Sequence, residues 1–94
     1  MPVVNFHIIW PDNKLMKCYS PSSVITQHLI EGEIYALSDF MTRVRHALHL
    51  ASERVRERYG YTCSAAADQL EILERDARKY KDLPNATVKV TLFS

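Results

Sequence analysis

Residues 38–60 have the sequence SDFMTRVRHALHLASERVRERYG, and this stretch decides the fold because its pattern predicts one long amphipathic helix. Ser38 is the expected N-cap, and the carboxylate of Asp39 complements the positive end of the helix dipole. Gly60 is the expected stop, because glycine enters the left-handed conformation without a steric penalty. Apolar residues recur at spacings of three and four and define the face expected to be buried: Phe40, Val44, Ala47, Leu48, Ala51 and Val55.

The length of this helix makes it the scaffold of the chain. At about 1.5 Å per residue it extends for roughly 30 Å, which is close to the width of a small domain. It is therefore expected to cross a whole sheet, or to project from it and meet a partner. With 94 residues, the chain is expected to form one α+β domain over residues 1–94.

Composition and charge exclude several classes of protein. The formal net charge is only +1, so no global charge attracts nucleic acid or anionic lipid. No apolar run approaches the roughly 20 residues needed to span a bilayer. The N-terminal run MPVVNFHIIWPD lacks the positively charged start of a signal peptide. Two cysteines without a signal favour a reduced protein. We therefore expect a cytoplasmic protein with no membrane partner.

The N-terminal residues predict a β-hairpin. The run VVNFHIIW alternates between an apolar face and a mixed face. The run PDNK has turn chemistry and leads to a returning strand, LMKCY. If Asp12–Asn13 is the loop, Trp10 pairs with Leu15 and His7 lies opposite Cys18. A change of one residue in the loop length reverses the facing of the second strand.

The remaining segments predict two more helices and a last strand. Ser20 as N-cap and Pro21 at the first helical position start a short helix of about two turns, which Gly32 ends. Residues 33–37 are expected to be extended, as a short edge strand or a connector. A second long helix begins at a cap, Ser64, and folds back antiparallel to the first; its apolar stripe is Ala66, Leu70, Leu73, Ala77 and Tyr80. The run VKVTLF alternates as a final strand, which is expected to pair beside the first.

These elements predict an α+β fold. The sheet is expected to be antiparallel and three-stranded, made of the N-terminal hairpin and the C-terminal strand. An antiparallel pair of helices covers it, and one extra short helix completes the chain.

The arginines of the central helix are the first candidate for a functional surface. Residues 38–60 hold five arginines against three acidic residues. Arginine is enriched at protein interfaces, since its planar fork binds carboxylates and stacks on aromatic rings. The predicted partner-binding residues are Arg43, Arg45, Arg54, Arg58 and Tyr59. A basic helix can also follow phosphates, although the acidic residues interrupt it and the chain has no recognisable nucleic-acid motif.

Thiols and histidines are the second candidate. Cys18 opposite His7 would form a thiol–imidazole pair with a lowered thiol pKa, and Cys63 lies near a predicted helix start, where the dipole favours a thiolate. Both are also explained as small apolar residues in packed positions. His46 and His49 have the i, i+3 spacing of a possible metal pair, which also arises by chance. The pattern thus assigns no metal, no cofactor and no catalytic residue, and Cys18 and Cys63 stay candidates for reactive thiols.

Four blocks of sequence carry a family resemblance: WPD at residues 10–12, CYSPSSVI at 18–25, ALHLASERVRERYGYTCS at 47–64 and QLEILE at 69–74. In the order and spacing of these blocks, over nearly its full length, the chain resembles the small nitrogen-starvation response proteins of bacteria. In that family the turn reads Pro-Asp-Gly. Asn13 stands here in place of the glycine, and a tight hairpin tolerates this replacement.

The resemblance implies a gene neighbourhood with a nitrilase, a radical-SAM protein, a flavin-dependent oxidoreductase and an acetyltransferase-like protein. It implies a role in nitrogen stress or in the use of nitriles, and it carries over no catalytic residue. Our leading hypothesis is a non-enzymatic accessory protein that acts through protein–protein contacts. The expected partner is a second copy, as in a homo-oligomer, or an enzyme of that neighbourhood. The alternatives are a small nucleic-acid-binding regulator and a protein with a thiol or metal site.

Overall fold

The computed structural model of the protein describes residues 3–60 and 64–94. Three helices and four strands follow one another in these ranges. The elements, in chain order, are β1 (Val4–Ile9), β2 (Leu15–Ser20), α1 (Ile25–His28), β3 (Ile34–Ala36), α2 (Leu37–Tyr59), α3 (Ser64–Ala77), a 3-10 turn (Arg78–Tyr80) and β4 (Thr87–Phe93). The α+β class is confirmed.

Helix α2 is the predicted scaffold, unbroken over 23 residues. All six apolar residues predicted on its inner face are buried, and Met41 joins them. Gly60 ends the helix with φ of 77°, and its N–H donates to the Arg56 carbonyl at 2.8 Å. The predicted stripe and the predicted stop are both confirmed, because each depends only on residues near it in the sequence.

The start of α2 differs from the prediction. The helix begins at Leu37, and Ser38 provides no capping hydrogen bond. Strand β3 leads directly into the helix, and the Leu37 N–H donates to the Ala86 carbonyl at 3.0 Å. The segment before β4 thus satisfies one of the four N–H groups that have no partner within the helix at its start. The Ser38 carbonyl instead accepts a hydrogen bond from the Thr42 hydroxyl at 3.0 Å.

The sheet has four strands in the order β2-β1-β4-β3, and every neighbouring pair is antiparallel. The prediction that β4 pairs beside β1 is confirmed, whereas the prediction of three strands is wrong. The fourth is β3, whose Tyr35 lies opposite Val88. Both Val88 and Val90 are fully buried, so the backbone of β4 needs partners on both sides, and β3 supplies the second.

The predicted hairpin register is also wrong. Asn13 adopts a positive φ of 68°, and the Trp10 N–H donates to the Lys14 carbonyl at 2.9 Å. The loop therefore has three residues rather than two, a form in which the last residue is left-handed. The extra residue places Phe6, not His7, opposite Cys18.

The predicted cap of the first short helix is wrong as well. Ser20 is the fully buried last residue of β2, and its hydroxyl donates to the Ser22 carbonyl at 2.7 Å. The hydroxyl of Ser22, rather than that of Ser20, accepts from the Val24 N–H at 3.3 Å. Helix α1 then has only four residues, since the strand continues to Ser20 and takes residues that the pattern assigned to the helix start.

Helix α3 runs beside α2 in the opposite direction. Arg45, early in α2, forms an ion pair with Glu74, late in α3, as the antiparallel prediction requires. The two helices and the 3-10 turn cover one face of the sheet, where Trp10 stacks on Tyr80 at 5.5 Å. The largest fully buried side chains are Phe6, Ile8, Ile25, Leu29, Phe40, Leu48 and Leu73. Of the helices in the described ranges, none has both the length and the apolar character needed to cross a membrane.

Candidate interaction surface

The side of the sheet that faces away from the helices carries a row of residues across all four strands. Leu15 lies opposite Ile9, Ile9 opposite Lys89, and Lys89 opposite Ile34. Residues paired directly across antiparallel strands point to the same face, so these four share one surface. Leu15 is 76% exposed and Ile34 is 59% exposed. Three of the four residues in this row are therefore aliphatic, and two of these three are open to water.

A second row lies next to the first on the same face. Lys17 lies opposite His7, and His7 lies opposite Leu92, which is 40% exposed. The imidazole Nε2 of His7 is 3.3 Å from the hydroxyl of Ser94. Together the two rows form what we call the open sheet face, defined as His7, Ile9, Leu15, Lys17, Ile34, Lys89 and Leu92.

The charges of the open sheet face all have one sign. Lys17 and Lys89 are exposed, and neither has an ion-pair partner in residues 3–60 and 64–94. None of the seven residues of the face is acidic. The open sheet face thus combines aliphatic side chains with uncompensated positive charge.

Sequence reasoning did not identify this surface. It placed Ile9 on the mixed face of the first strand but gave Leu15 and Ile34 no functional meaning. The available signal was alternation, since Ile9 follows the buried Ile8 and Ile34 precedes the buried Tyr35. Alternation assigns each strand two faces, but only the pairing of distant strands brings these residues into one row.

Arg43, one of the predicted partner-binding residues, contacts three groups of its own chain. Its Nε lies 3.1 Å from both carboxylate oxygens of Asp39. Its guanidinium carbon lies 5.0 Å from the centre of the Tyr35 ring, within the range of a cation–π interaction. Its Nη1 donates to the His28 carbonyl at 3.3 Å. Arg43 therefore joins α2 to α1 and β3.

The other predicted partner-binding residues lie on different sides of α2. Arg45 pairs with Glu74, and the guanidinium carbon of Arg58 lies 5.8 Å from the centre of the Tyr59 ring. Arg54 is exposed. A residue eleven positions along a helix returns to nearly the same side, whereas one two positions along lies about 200° away. Arg43 and Arg54 therefore lie on one flank of the buried stripe and Arg45 on the other. Partner binding by these residues stays a prediction.

A cavity of about 770 Å³ lies beside Arg45, between the start of α2, the end of α3 and the segment before β4. Cationic and hydroxyl side chains line it together with apolar ones: Ser38, Met41, Thr42, Arg45, Ala77, Arg78, Lys81 and Leu83. Glu74 lines it too and pairs with Arg45. The lining therefore mixes charged, hydroxyl and apolar side chains and does not indicate one class of ligand.

Tyr80 forms one wall of this cavity and interacts with Asp12 of the hairpin turn. Burial raises the pKa of Tyr80, and its hydrogen bond to the Asp12 carboxylate raises it further. Burial also tends to raise the pKa of Asp12, but hydrogen bonds from Tyr80 and the Lys14 N–H, with the Lys14 charge, lower it overall. The pair ties the hairpin turn to the end of the helical layer.

The environment of Cys18 disfavours a reactive thiol. Cys18 is 1% exposed, and burial raises its pKa to about 12, with the charge of Asp76 adding to the rise. A thiol with this pKa remains protonated near neutral pH. The imidazole of His7 faces the other side of the sheet, so the predicted thiol–imidazole pair does not form. Cys63, the other predicted thiol, lies outside the described residues.

The histidines come together in a different pair from the one predicted. The rings of His28 and His46, rather than His46 and His49, lie 5.0 Å apart in an edge-to-face arrangement. Burial lowers the pKa of His28, and the nearby His46 and Arg43 lower it further. In residues 3–60 and 64–94, no three histidine, cysteine, aspartate or glutamate side chains are grouped as metal ligands.

Comparison with protein families assigns the chain to a family. The family model described as nitrogen starvation-induced protein NitG matches residues 5–93 of the 94-residue chain. Comparison with curated proteins and with solved structures gives no match. Apart from Val4, the first residue of β1, the matched range includes every strand and helix of the fold and all seven residues of the open sheet face.

Proposed function

Because the chain belongs to the family of nitrogen starvation-induced NitG proteins, we propose that it acts in the nitrogen-starvation response as a non-enzymatic accessory protein. In this proposal it works in the cytoplasm by binding another protein. Its partner is an enzyme encoded in the same gene neighbourhood, such as the nitrilase or the radical-SAM protein, or a second copy of the chain.

The open sheet face is the observation that carries this proposal. An antiparallel sheet with one solvated face normally places polar residues on that face. Here Leu15, Ile34 and Leu92 occupy it, and they are at least 40% exposed. Burying an exposed leucine or isoleucine is worth about 1.5–3 kcal/mol. A partner that covers this face therefore gains apolar burial that the isolated chain leaves unused.

The arginine-bearing helix supports the proposal less strongly than the sheet. Arg43 and Arg45 each form an ion pair within the chain. A partner that binds these arginines would exchange one exposed ion pair for another. Because exposed ion pairs contribute only about 0–1 kcal/mol each, this exchange gains little. The aliphatic residues of the open sheet face have no such internal contact to give up.

The experiment compares two threonine variants. Leu15→Thr with Ile34→Thr changes the open sheet face, while Leu83→Thr, at a residue that is 49% exposed elsewhere, serves as the control. The tagged full chain is used to purify partners from nitrogen-starved cells, and its mass is measured by analytical ultracentrifugation. We expect the face variant to lose its partner or its self-association and the Leu83→Thr variant to keep it. A native chain that stays monomeric and retains no protein would refute the proposal.

A further inference from the structure

The open sheet face has a chemical character that selects its partner. We propose that it binds a different protein, whose contact surface combines aliphatic side chains with carboxylates. This inference rests on the proposed function, because it identifies the kind of partner for the same surface.

The position of Lys89 is the first observation that supports a partner with carboxylates. It lies between Ile9 and Ile34 in the first row, so any surface that packs on the two isoleucines must also approach its ammonium group. An ammonium that loses water without a compensating charge is costly. A covering surface must therefore either supply a carboxylate or leave Lys89 a path to solvent along its flexible stem.

The second row imposes the same requirement at a second point. Lys17 lies beside His7, which separates it from Leu92 in this row, and it is two residues from the exposed Leu15 on the same face of β2. Two of the other three lysines already have a carboxylate nearby, since Lys14 is 3.6 Å from Asp12 and Lys79 is 3.5 Å from Asp76. The two lysines of the open sheet face lack such a neighbour in the described ranges. Complementary charge must therefore come from the partner.

A second copy of the chain does not meet this requirement. In a two-fold contact each copy presents the same patch to the other, and none of the seven residues of that patch supplies a carboxylate to the lysines. Helix α3 is one aliphatic alternative, since Ile72 is 39% exposed. The charges around Ile72 are mixed, however: Asp68, Glu71, Glu74, Arg75 and Arg78. Binding of one copy's face to the next copy's α3 would also be a head-to-tail contact, which produces a ring or an open filament of copies.

The test uses two charge-reversal variants of the tagged full chain, both with the same change in net charge. Lys17→Glu with Lys89→Glu alters the open sheet face, whereas Arg78→Glu with Lys81→Glu alters exposed cations elsewhere. Each protein is added to a lysate of nitrogen-starved cells, and bound proteins are quantified by mass spectrometry. We expect the face variant to capture at least about tenfold less of a specific protein and the matched control to capture it normally, because opposed charges across an interface attract and like charges repel.

Cross-linking identifies the groups in contact. A carbodiimide joins lysine amines to carboxylates that lie against them, so Lys17 or Lys89 is expected to be linked to an aspartate or glutamate of the captured protein. The charge-preserving variant Lys17→Arg with Lys89→Arg should keep the capture and lose these links. If the face variant loses the capture but the native complex shows no such links, the assignment of carboxylates to the partner is overturned.

The remaining outcomes separate this inference from the proposed function. Links that join two copies of the chain would overturn the choice of a different protein while leaving an accessory role intact. A partner captured equally by the face variant, or lost only with the Arg78→Glu and Lys81→Glu changes, would move the binding surface away from the sheet and overturn the inference alone. If no variant retains a protein and none self-associates, both the inference and the proposed function fail.

Discussion

Two single variants, Leu48→Ala and Leu15→Ala, test which face of the sheet is covered. Leu48 is 1% exposed on the inner face of α2, and Leu15 is 76% exposed on the open sheet face. The covalent change is identical, so the difference in stability reports only the surroundings. We expect Leu48→Ala to destabilise the protein strongly and Leu15→Ala to have little effect.

The magnitudes follow from burial. Leu48→Ala removes three carbons, which at about 0.8 kcal/mol per buried CH₂ are worth about 2.4 kcal/mol. The cavity that remains adds to this loss, so the free energy of unfolding should fall by about 3 kcal/mol. In a domain of this size the melting temperature should fall by roughly 12–24 °C. For Leu15, only a quarter of the side chain is covered, and the same reasoning gives about 0.6 kcal/mol.

The assay is urea unfolding followed by circular dichroism at two protein concentrations. Equal losses for the two variants would refute the reasoning, because they would mean that Leu15 is covered in solution. A loss at Leu15 that disappears on dilution would show that a second copy provides the cover. A loss below about 1 kcal/mol at Leu48 would show that the inner face of α2 is not the core.

Three further predictions concern single residues. Gly60→Ala should lower the free energy of unfolding by about 1–2 kcal/mol, because the residue has φ of 77° while the added Cβ meets nothing within 4 Å; Gly60→Asn should cost less in the same urea titration, and equal costs would contradict the backbone explanation. In a Cys63→Ser background, Cys18 should react with a disulfide reagent only as fast as the protein unfolds, since burial raises its pKa to about 12; rapid labelling of the native protein would contradict this. In the folded state burial, His46 and Arg43 lower the pKa of His28 below its ordinary value of 6.5. The unfolded state therefore binds more protons as the pH falls through 6.5, and the stability of the folded state should decline. The decline in melting temperature between pH 7 and pH 5 should be smaller in His28→Gln, and an unchanged decline would rule out this residue as its source.

The sequence blocks that carry the family resemblance have structural tasks in this fold. Trp10 stacks on Tyr80, and Asp12 of the same block interacts with that tyrosine. Cys18 fills the core, and Gly60 ends the scaffold helix. These four residues therefore have structural roles in the fold, and the binding surface that we propose lies elsewhere, on the sheet.

The sequence by itself determined the helical layer. The stripe from Phe40 to Val55 and the stop at Gly60 are local features, since every helical hydrogen bond joins residues four positions apart and every contact of the stripe repeats within a turn or two. The pairing of β4 beside β1 was also predictable, because β2 leads away into the next segment and leaves the other edge of β1 free.

Tertiary structure alone decided the hairpin register, the fourth strand and the open sheet face. One left-handed residue, Asn13, sets the loop length, and a shift of one position exchanges the two faces of a strand. The three residues of β3 became a strand only because β4, over fifty residues later, had an unpaired edge. Strand pairing joins residues far apart in the chain, and its geometry is determined when the backbone groups of distant segments form hydrogen bonds. A pattern within one segment therefore shows which residues alternate, whereas the assembled sheet decides which of them form one surface.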